Sequence, residues 1–149
     1  MAGDPSDLYQ DLILDHSKNP RNAGPLDGAT HQARGNNPLC GDRITVYLTL
    51  DGDQIADVKF EARGCAISVA SASMMSEMIK GKTVEEATAL FEKFHALVTG
   101  GTSGEGDGLE ELESLAGVRD FPTRIKCATL SWHAMQQALR GAGEEVRTE

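Results

Sequence analysis

The sequence predicts an α+β fold in which a three-stranded antiparallel sheet packs against several helices. The first observation behind this prediction is the order of the segments, which is one helix, then three strands, then further helices. The second is the length of 149 residues, near the usual size of one domain, with no internal repeat. We therefore expect a single domain over residues 1–149.

The N-terminal half predicts one helix followed by a meander. Asp4, Pro5 and Ser6 are residues typical of a helix start, and Asn19-Pro20 ends the helix after about twelve residues. Three strands follow with the sequences THQARG, RITVYLTL and IADVKFEA, the last two joined across DGDQ. Apolar residues alternate along the second strand, as expected for a sheet with one packed face: Ile44, Val46, Leu48 and Leu50.

The C-terminal half predicts helices that cover this face. The pattern is helical from Ala66 to Lys80, and Thr83 with Glu86 forms a capping box that opens the next helix. The last helix begins near Pro122, a favoured first position. The first two of these helices have stripes at helical spacing that consist of Ile67, Ser71, Met74 and Met78, and of Val84, Ala87, Phe91, Phe94 and Val98. The stripe of the last helix should be core and consists of Ile125, Ala128, Trp132, Met135 and Leu139.

The charge balance excludes some functions. A formal net charge of −9 would repel nucleic-acid phosphates, so no nucleic-acid partner is expected. The N-terminus is acidic where a signal peptide would be basic, and no apolar run approaches the roughly 20 residues of a membrane helix. We expect a cytoplasmic protein with no membrane partner.

An acidic insertion of about residues 100–118 precedes the last helix. It is glycine-rich at its start and contains no basic residue. It is interpreted either as a solvated loop or as a segment that faces a partner. Its acidic side chains are Glu105, Asp107, Glu110, Glu111 and Glu113.

The three cysteines are the candidate site residues. Positions i and i+2 of an extended backbone point to the same side, so Cys40 and Asp42 can converge across Gly41. Cys65 lies at the predicted start of a helix, where the helix dipole favours a thiolate, and Cys127 lies early in the final helix. A reducing compartment disfavours disulfides, which leaves metal binding, catalysis or burial as a small hydrophobic residue.

Three thiolates and one carboxylate form a tetrahedral ligand set suited to zinc or to an iron–sulfur cluster. The spacing differs from the C-x-x-C pairs of a zinc ribbon, so spacing alone does not decide between these uses and burial. The histidines have no ligand-like interval and are interpreted as structural or exposed residues: His16, His31, His95 and His133.

Three motifs carry a family resemblance. NNPLCGD, RGCAISVASASMM and RIKCATLSWHA resemble, in order, the cysteine motifs of the U-type (IscU/NifU N-terminal-like) iron–sulfur scaffold family. They are most similar to its zinc-containing SUF branch, the SufU-like proteins. The resemblance runs from YQDLILDHSKNPRN to the final helix and implies a SufE/NifU-like sandwich. Lys126 departs from the ordinary scaffolds, which have a histidine before the third cysteine, and a protonated lysine has no lone pair for a metal.

The resemblance implies that Cys40, Asp42, Cys65 and Cys127 hold one zinc ion. It also implies a sulfurtransferase that takes persulfide sulfur from a cysteine desulfurase onto Cys40. Downstream SUF scaffold proteins are further partners that it suggests. During the transfer the Cys40 thiolate must be released from the zinc. Arg124 or Lys126 could stabilise that thiolate, or both could be solvated side chains. The alternatives are a scaffold for a nascent iron–sulfur cluster and a structural zinc module.

Overall fold

The computed structural model describes residues 5–38, 41–99, 122–140 and 146–147. None of the helices in these ranges is both long and apolar enough to span a membrane. The described elements are, in chain order, α1 (Pro5–Lys18), β1 (His31–Asn37), β2 (Asp42–Asp51), β3 (Gln54–Arg63), α2 (Ala66–Ile79), α3 (Val84–Val98), α4 (Pro122–Leu139) and β4 (Val146–Arg147).

The sheet has the order β3-β2-β1-β4. The three predicted strands form an antiparallel meander, which confirms the predicted α+β fold. β4 adds two residues to this sheet and pairs in parallel with β1, opposite Gly35 and Asn36. A strand of two residues shows no periodicity in sequence, because alternation needs at least four positions to be recognised.

The helices cover one face of the sheet. On β2 the side chains of Ile44, Val46 and Leu48 are buried, as the alternation predicted. The rings of Phe94 on α3 and Trp132 on α4 stack with centroids 4.8 Å apart. These contacts join the helical layer to the strands in a shared apolar core.

Helix α2 is the central helix and contacts both α1 and α4. Its residues from Ala70 to Ser76 are all buried, since small Ala and Ser side chains let neighbouring helices approach on several sides. Ser71 Oγ donates to the backbone carbonyl of Ala128 at 2.5 Å and accepts from Trp132 Nε1 at 3.1 Å. This hydroxyl therefore satisfies polar groups of α4 inside the core.

Helix α1 and the chain that follows it are each tied to the core. His16 is buried, and its Nδ1 lies 2.7 Å from Ser73 Oγ on α2, consistent with a structural role. Farther along, Gly24 N–H donates to the carbonyl of Phe60, and Phe60 N–H donates to the carbonyl of Asn22. The segment 22–24 thus runs along the free side of β3.

The predicted end of α2 and the predicted start of α3 are confirmed. Gly81 follows the helix with φ +85°, a conformation that glycine adopts without strain. Thr83 Oγ1 accepts from the backbone N–H of Glu86, and the Glu86 carboxylate accepts from the backbone N–H of Thr83. Both hydrogen bonds of the capping box are present, with Thr83 as the N-cap of α3, which begins at Val84.

Candidate metal centre

Three of the predicted site residues meet at one end of the sheet. Asp42 is the first residue of β2, Cys65 is the N-cap of α2, and Cys127 lies near the start of α4. One ligand atom from each lies within 4.8 Å of the others. In the described part of the chain, this is the one group of three His, Cys, Asp or Glu side chains close enough to share a metal ion. Asp42 and Cys127 are fully buried, and Cys65 is partly exposed.

The Asp42 carboxylate is oriented by Cys65. The backbone N–H of Cys65 donates to Asp42 Oδ1 at 2.9 Å, and the Cys65 thiol donates to Oδ2 at 3.9 Å. Tetrahedral zinc with ordinary bonds to one sulfur and one oxygen would hold these atoms about 3.6 Å apart. The donor separation and the donor types therefore fit a zinc ion.

Gly64 makes this approach of strand to helix feasible. Its φ of +148° lies in a region that other residues rarely adopt. A Cβ added here would lie 2.1 Å from Asp42 Oδ1, well inside contact distance. The position therefore needs glycine both for its backbone and for the space that the carboxylate occupies.

Asn37 contacts the site and was missed by the sequence reasoning. It pairs with Asp42 across β1 and β2, and it is fully buried. Its Nδ2 donates to Cys127 Sγ at 3.8 Å, while its Oδ1 has no hydrogen-bond partner among the described residues. In sequence Asn37 is one of several turn-type residues in NNPLCGD. Only the strand register reveals that it faces the site.

The structure describes Arg124 and Lys126 but not Cys40. Cys40 lies outside the described residues, and so does the acidic insertion at 100–118. Gly41, between Cys40 and Asp42, has φ +74° and open space around its α-carbon. Arg124 is exposed near the start of α4, and Lys126 is partly buried one residue before Cys127.

The histidines lie outside the Asp42, Cys65 and Cys127 group. His133 on α4 packs edge-on against Phe91 on α3, with ring centroids 5.1 Å apart, and lies 6.2 Å from the ring of His95. Burial lowers the pKa of His133 from its ordinary value of 6.5, and the charge of His95 lowers it further. These two rings belong to the packing between α3 and α4.

The chain is similar in sequence to one family profile and to curated proteins named for sulfur transfer or iron–sulfur cluster assembly. The family profile described as NifU-like N terminal domain matches residues 8–141. The zinc-dependent sulfurtransferase SufU of Bacillus subtilis (strain 168) is 48% identical over 132 residues, covering 89% of each chain. The iron–sulfur cluster assembly scaffold protein IscU of Streptococcus pyogenes serotype M1 is 45% identical over 133 residues, covering 89% of this chain and 83% of that one.

A solved structure agrees with these sequence relatives. It is a candidate iron–sulfur cluster assembly scaffold for the SUF system from Fervidobacterium islandicum AW-1, and it is 37% identical. The match covers 91% of this chain and 99% of that chain, with a TM-score of 0.83. The family profile, which matches residues 8–141, includes Asp42, Cys65 and Cys127.

Proposed function

Because the chain belongs to the NifU-like N terminal domain family of iron–sulfur cluster assembly proteins, we propose that it is a zinc-dependent sulfur relay. It takes sulfur from the persulfide of a SUF-type cysteine desulfurase and passes it on for cluster assembly. The observation that carries this proposal is the group of one carboxylate and two thiols at the end of the sheet. The relative named zinc-dependent sulfurtransferase SufU, which is 48% identical, supports this proposal.

We propose Asp42, Cys65, Cys127 and Cys40 as the four ligands. The first three have donor atoms within 4.8 Å of one another. Cys40 is two residues before Asp42 in sequence, and Gly41 between them has φ +74° with open space around its α-carbon. A zinc ion bound there would keep its cysteine ligands deprotonated near neutral pH, where an ordinary thiol with pKa near ~8.5 is mostly protonated. The backbone N–H of Cys65 would hold the Asp42 carboxylate in place throughout.

Cys40 is the proposed sulfur acceptor. Its thiolate attacks the outer sulfur of the donor persulfide, and a new S–S bond forms as the donor's own S–S bond breaks. The donor cysteine leaves as a thiolate with the electron pair of the broken bond. The outer sulfur and its proton are now on Cys40. One disulfide-type bond replaces another, so no separate oxidant or reductant is required.

A positive side chain near the acceptor would stabilise a released thiolate. Arg124 is the proposed residue, since it is exposed and three positions before Cys127. Among the described residues its side chain makes no hydrogen bond or ion pair, so the guanidinium is available to a docked partner. Lys126 is the second candidate for this role.

A second function deserves a test, because the scaffold IscU of S. pyogenes is almost as similar, at 45% identity. Cysteine thiolates are also the usual ligands of iron–sulfur clusters. In this alternative the same residues would hold a nascent cluster that is later transferred. Lys126, adjacent to Cys127, argues for the relay because a protonated amine offers no lone pair to a cluster iron.

Elemental analysis together with one variant tests the proposal. The relay predicts one equivalent of zinc without iron in untreated protein, and loss of desulfurase stimulation in Cys40→Ala. A Lys93→Glu variant on α3 is a suitable control because this side chain is exposed and α3 carries none of the proposed ligands. Undiminished stimulation by Cys40→Ala would rule out the relay.

The alternatives give different results. A scaffold predicts a brown protein with acid-labile sulfide after anaerobic reconstitution. A structural zinc module predicts that a chelator unfolds the chain and that no cysteine becomes persulfidated when the desulfurase is active.

A further inference from the structure

A groove of about 750 Å³ lies along β1, β2 and β3, and Val69 of α2 also lines it. Its floor is formed by β1, β2 and β3, and the segment from Pro20 to Gly24 forms one wall. Three arginines line it, one from each of these strands: Arg34, Arg43 and Arg63. We call this feature the arginine groove.

The three arginines lie on adjacent strands, where their like charges repel each other. Arg43 and Arg63 are direct cross-strand partners, and like charges directly opposite each other destabilise a sheet. Arg34 lies on the neighbouring strand opposite Thr45, two residues from Arg43 on the same face. The fold therefore keeps three guanidinium groups together although its overall charge is −9.

No described side chain neutralises this cluster. None of the three arginines takes part in an ion pair or side-chain hydrogen bond with a described residue. The nearest acid in the groove is Glu61, whose carboxylate accepts a hydrogen bond from the Tyr47 hydroxyl. Three positive charges against one negative charge leave a net +2 in the groove. Exposed guanidinium groups that have no ion-pair partner can bind carboxylates or phosphates through charge-assisted hydrogen bonds.

The groove leads directly to the candidate metal centre. Arg43 follows Asp42 in β2, and Arg63 is two residues before Cys65. A molecule bound across Arg43 and Arg63 is thereby held beside the end of the sheet where the thiols lie. If the proposed relay is correct, the sulfur arrives on a protein side chain, so the occupant is a protein whose anionic groups are carboxylates.

We propose that the arginine groove docks a carboxylate-rich segment of the sulfur donor, the cysteine desulfurase. This inference rests on the proposed function and adds to it the chemistry by which the donor is recognised. Charged groups at the rim of an interface mainly govern the rate of association and its dependence on salt. The docking should accordingly weaken as salt screens the charges, since the Debye length is only about 8 Å at physiological ionic strength.

The test compares two double charge reversals of equal size. Arg34→Glu/Arg63→Glu reverses the groove and spares Arg43 beside the metal centre. Lys93→Glu/Arg140→Glu changes the net charge equally at exposed positions on α3 and after α4. We expect the groove variant to bind the desulfurase at least about tenfold more weakly at low ionic strength, and the difference to shrink near 0.5 M salt.

The control variant should bind within about twofold of the wild type, since its reversed charges lie outside the groove and do not pair with the docked segment. Metal content should be unchanged in both variants, which would exclude damage to the site. Arg34→Gln/Arg63→Gln serves as a second groove variant if the reversal does not fold. It should show a smaller loss of affinity than the reversal, with the same sensitivity to salt.

Other outcomes overturn the inference in distinguishable ways. Equal affinities of the groove and control variants, with normal stimulation by the wild type, would reject the docking site while leaving the relay intact. A wild type that neither binds nor stimulates the desulfurase would reject both. Inorganic phosphate that binds the wild type but not the groove variant, with desulfurase affinity unchanged, would assign the groove to small anions.

Discussion

Asp42 and Cys65 are 23 residues apart in sequence, yet the Asp42 carboxylate accepts a hydrogen bond from the backbone N–H of Cys65 at 2.9 Å. This bond joins the first residue of β2 to the N-cap of α2. It also satisfies an amide at a helix start, where backbone N–H groups lack intrahelical partners. The fold itself therefore positions the carboxylate.

We expect Gly64→Ala to abolish metal binding. The new Cβ would lie 2.1 Å from Asp42 Oδ1 and must displace the carboxylate or the turn. The comparison is Gly24→Ala, since Gly24 also has a positive φ, +119°, but its Cβ would meet no atom within 4 Å. Both variants carry backbone strain of about 1–3 kcal/mol. Because the strain is common to both, a difference in zinc stoichiometry between the two proteins reports the clash with Asp42 alone. Equal zinc contents would contradict the prediction.

Asn37→Ala should weaken metal binding about 10- to 100-fold, the usual effect of losing a residue that hydrogen-bonds a ligand. The reason is the loss of the amide donated to Cys127 Sγ. Competition with a chelator measures the affinity, and the sulfur-to-metal charge-transfer band of the cobalt-substituted protein reports on the thiolates. Asn36→Ala is the control because Asn36 lies next in the strand and lines the opposite face. Identical affinities of the two variants would remove Asn37 from the site.

Ser71→Ala should destabilise the protein by about 1–3 kcal/mol, because it leaves the buried Trp132 Nε1–H without its acceptor. Ser131→Ala is the matched control, since the Ser131 hydroxyl is buried with no hydrogen-bond partner among the described residues. Its removal should be neutral or stabilising. Urea denaturation followed by the fluorescence of the single tryptophan measures both. A similar loss in both variants would mean that packing, rather than the hydrogen bond, is responsible.

Stability should fall as the pH drops below about 6.5 because of His133. Its pKa is lowered in the folded protein, first by burial and then by His95, so the unfolded chain binds the proton more readily. The contribution of neutral His133 to the free energy of unfolding is therefore full above the pKa that this group has in the unfolded chain. It is lost as the pH falls through the lower pKa of the folded protein. His133→Gln should flatten the curve of unfolding free energy against pH, and His95→Gln should flatten it partly. Curves parallel to the wild type would contradict this assignment.

Sequence reasoning predicted most of the fold because each element carries a local signal. The alternation along β2 and the capping box of Thr83 and Glu86 are set by neighbouring residues, and the structure confirms both. The gathering of Asp42, Cys65 and Cys127 followed from the family motifs, since their spacing alone left burial open. The role of Asn37 depends on the register between β1 and β2, which no short stretch of sequence determines.

The arginine groove could not be predicted for a similar reason. Arg34, Arg43 and Arg63 are far apart in sequence within an acidic chain, and each alone resembles an ordinary surface residue. They become a group only when three strands place them side by side.

The hydrogen bonds of segment 22–24 to β3, and of β4 to β1, have a further consequence. A strand with unpaired backbone groups invites another chain to add to it, which leads to domain swapping or fibres. Here both outer margins of the meander are already occupied near Phe60 and near Gly35. At these positions a visiting protein cannot extend the sheet and must recognise side chains instead.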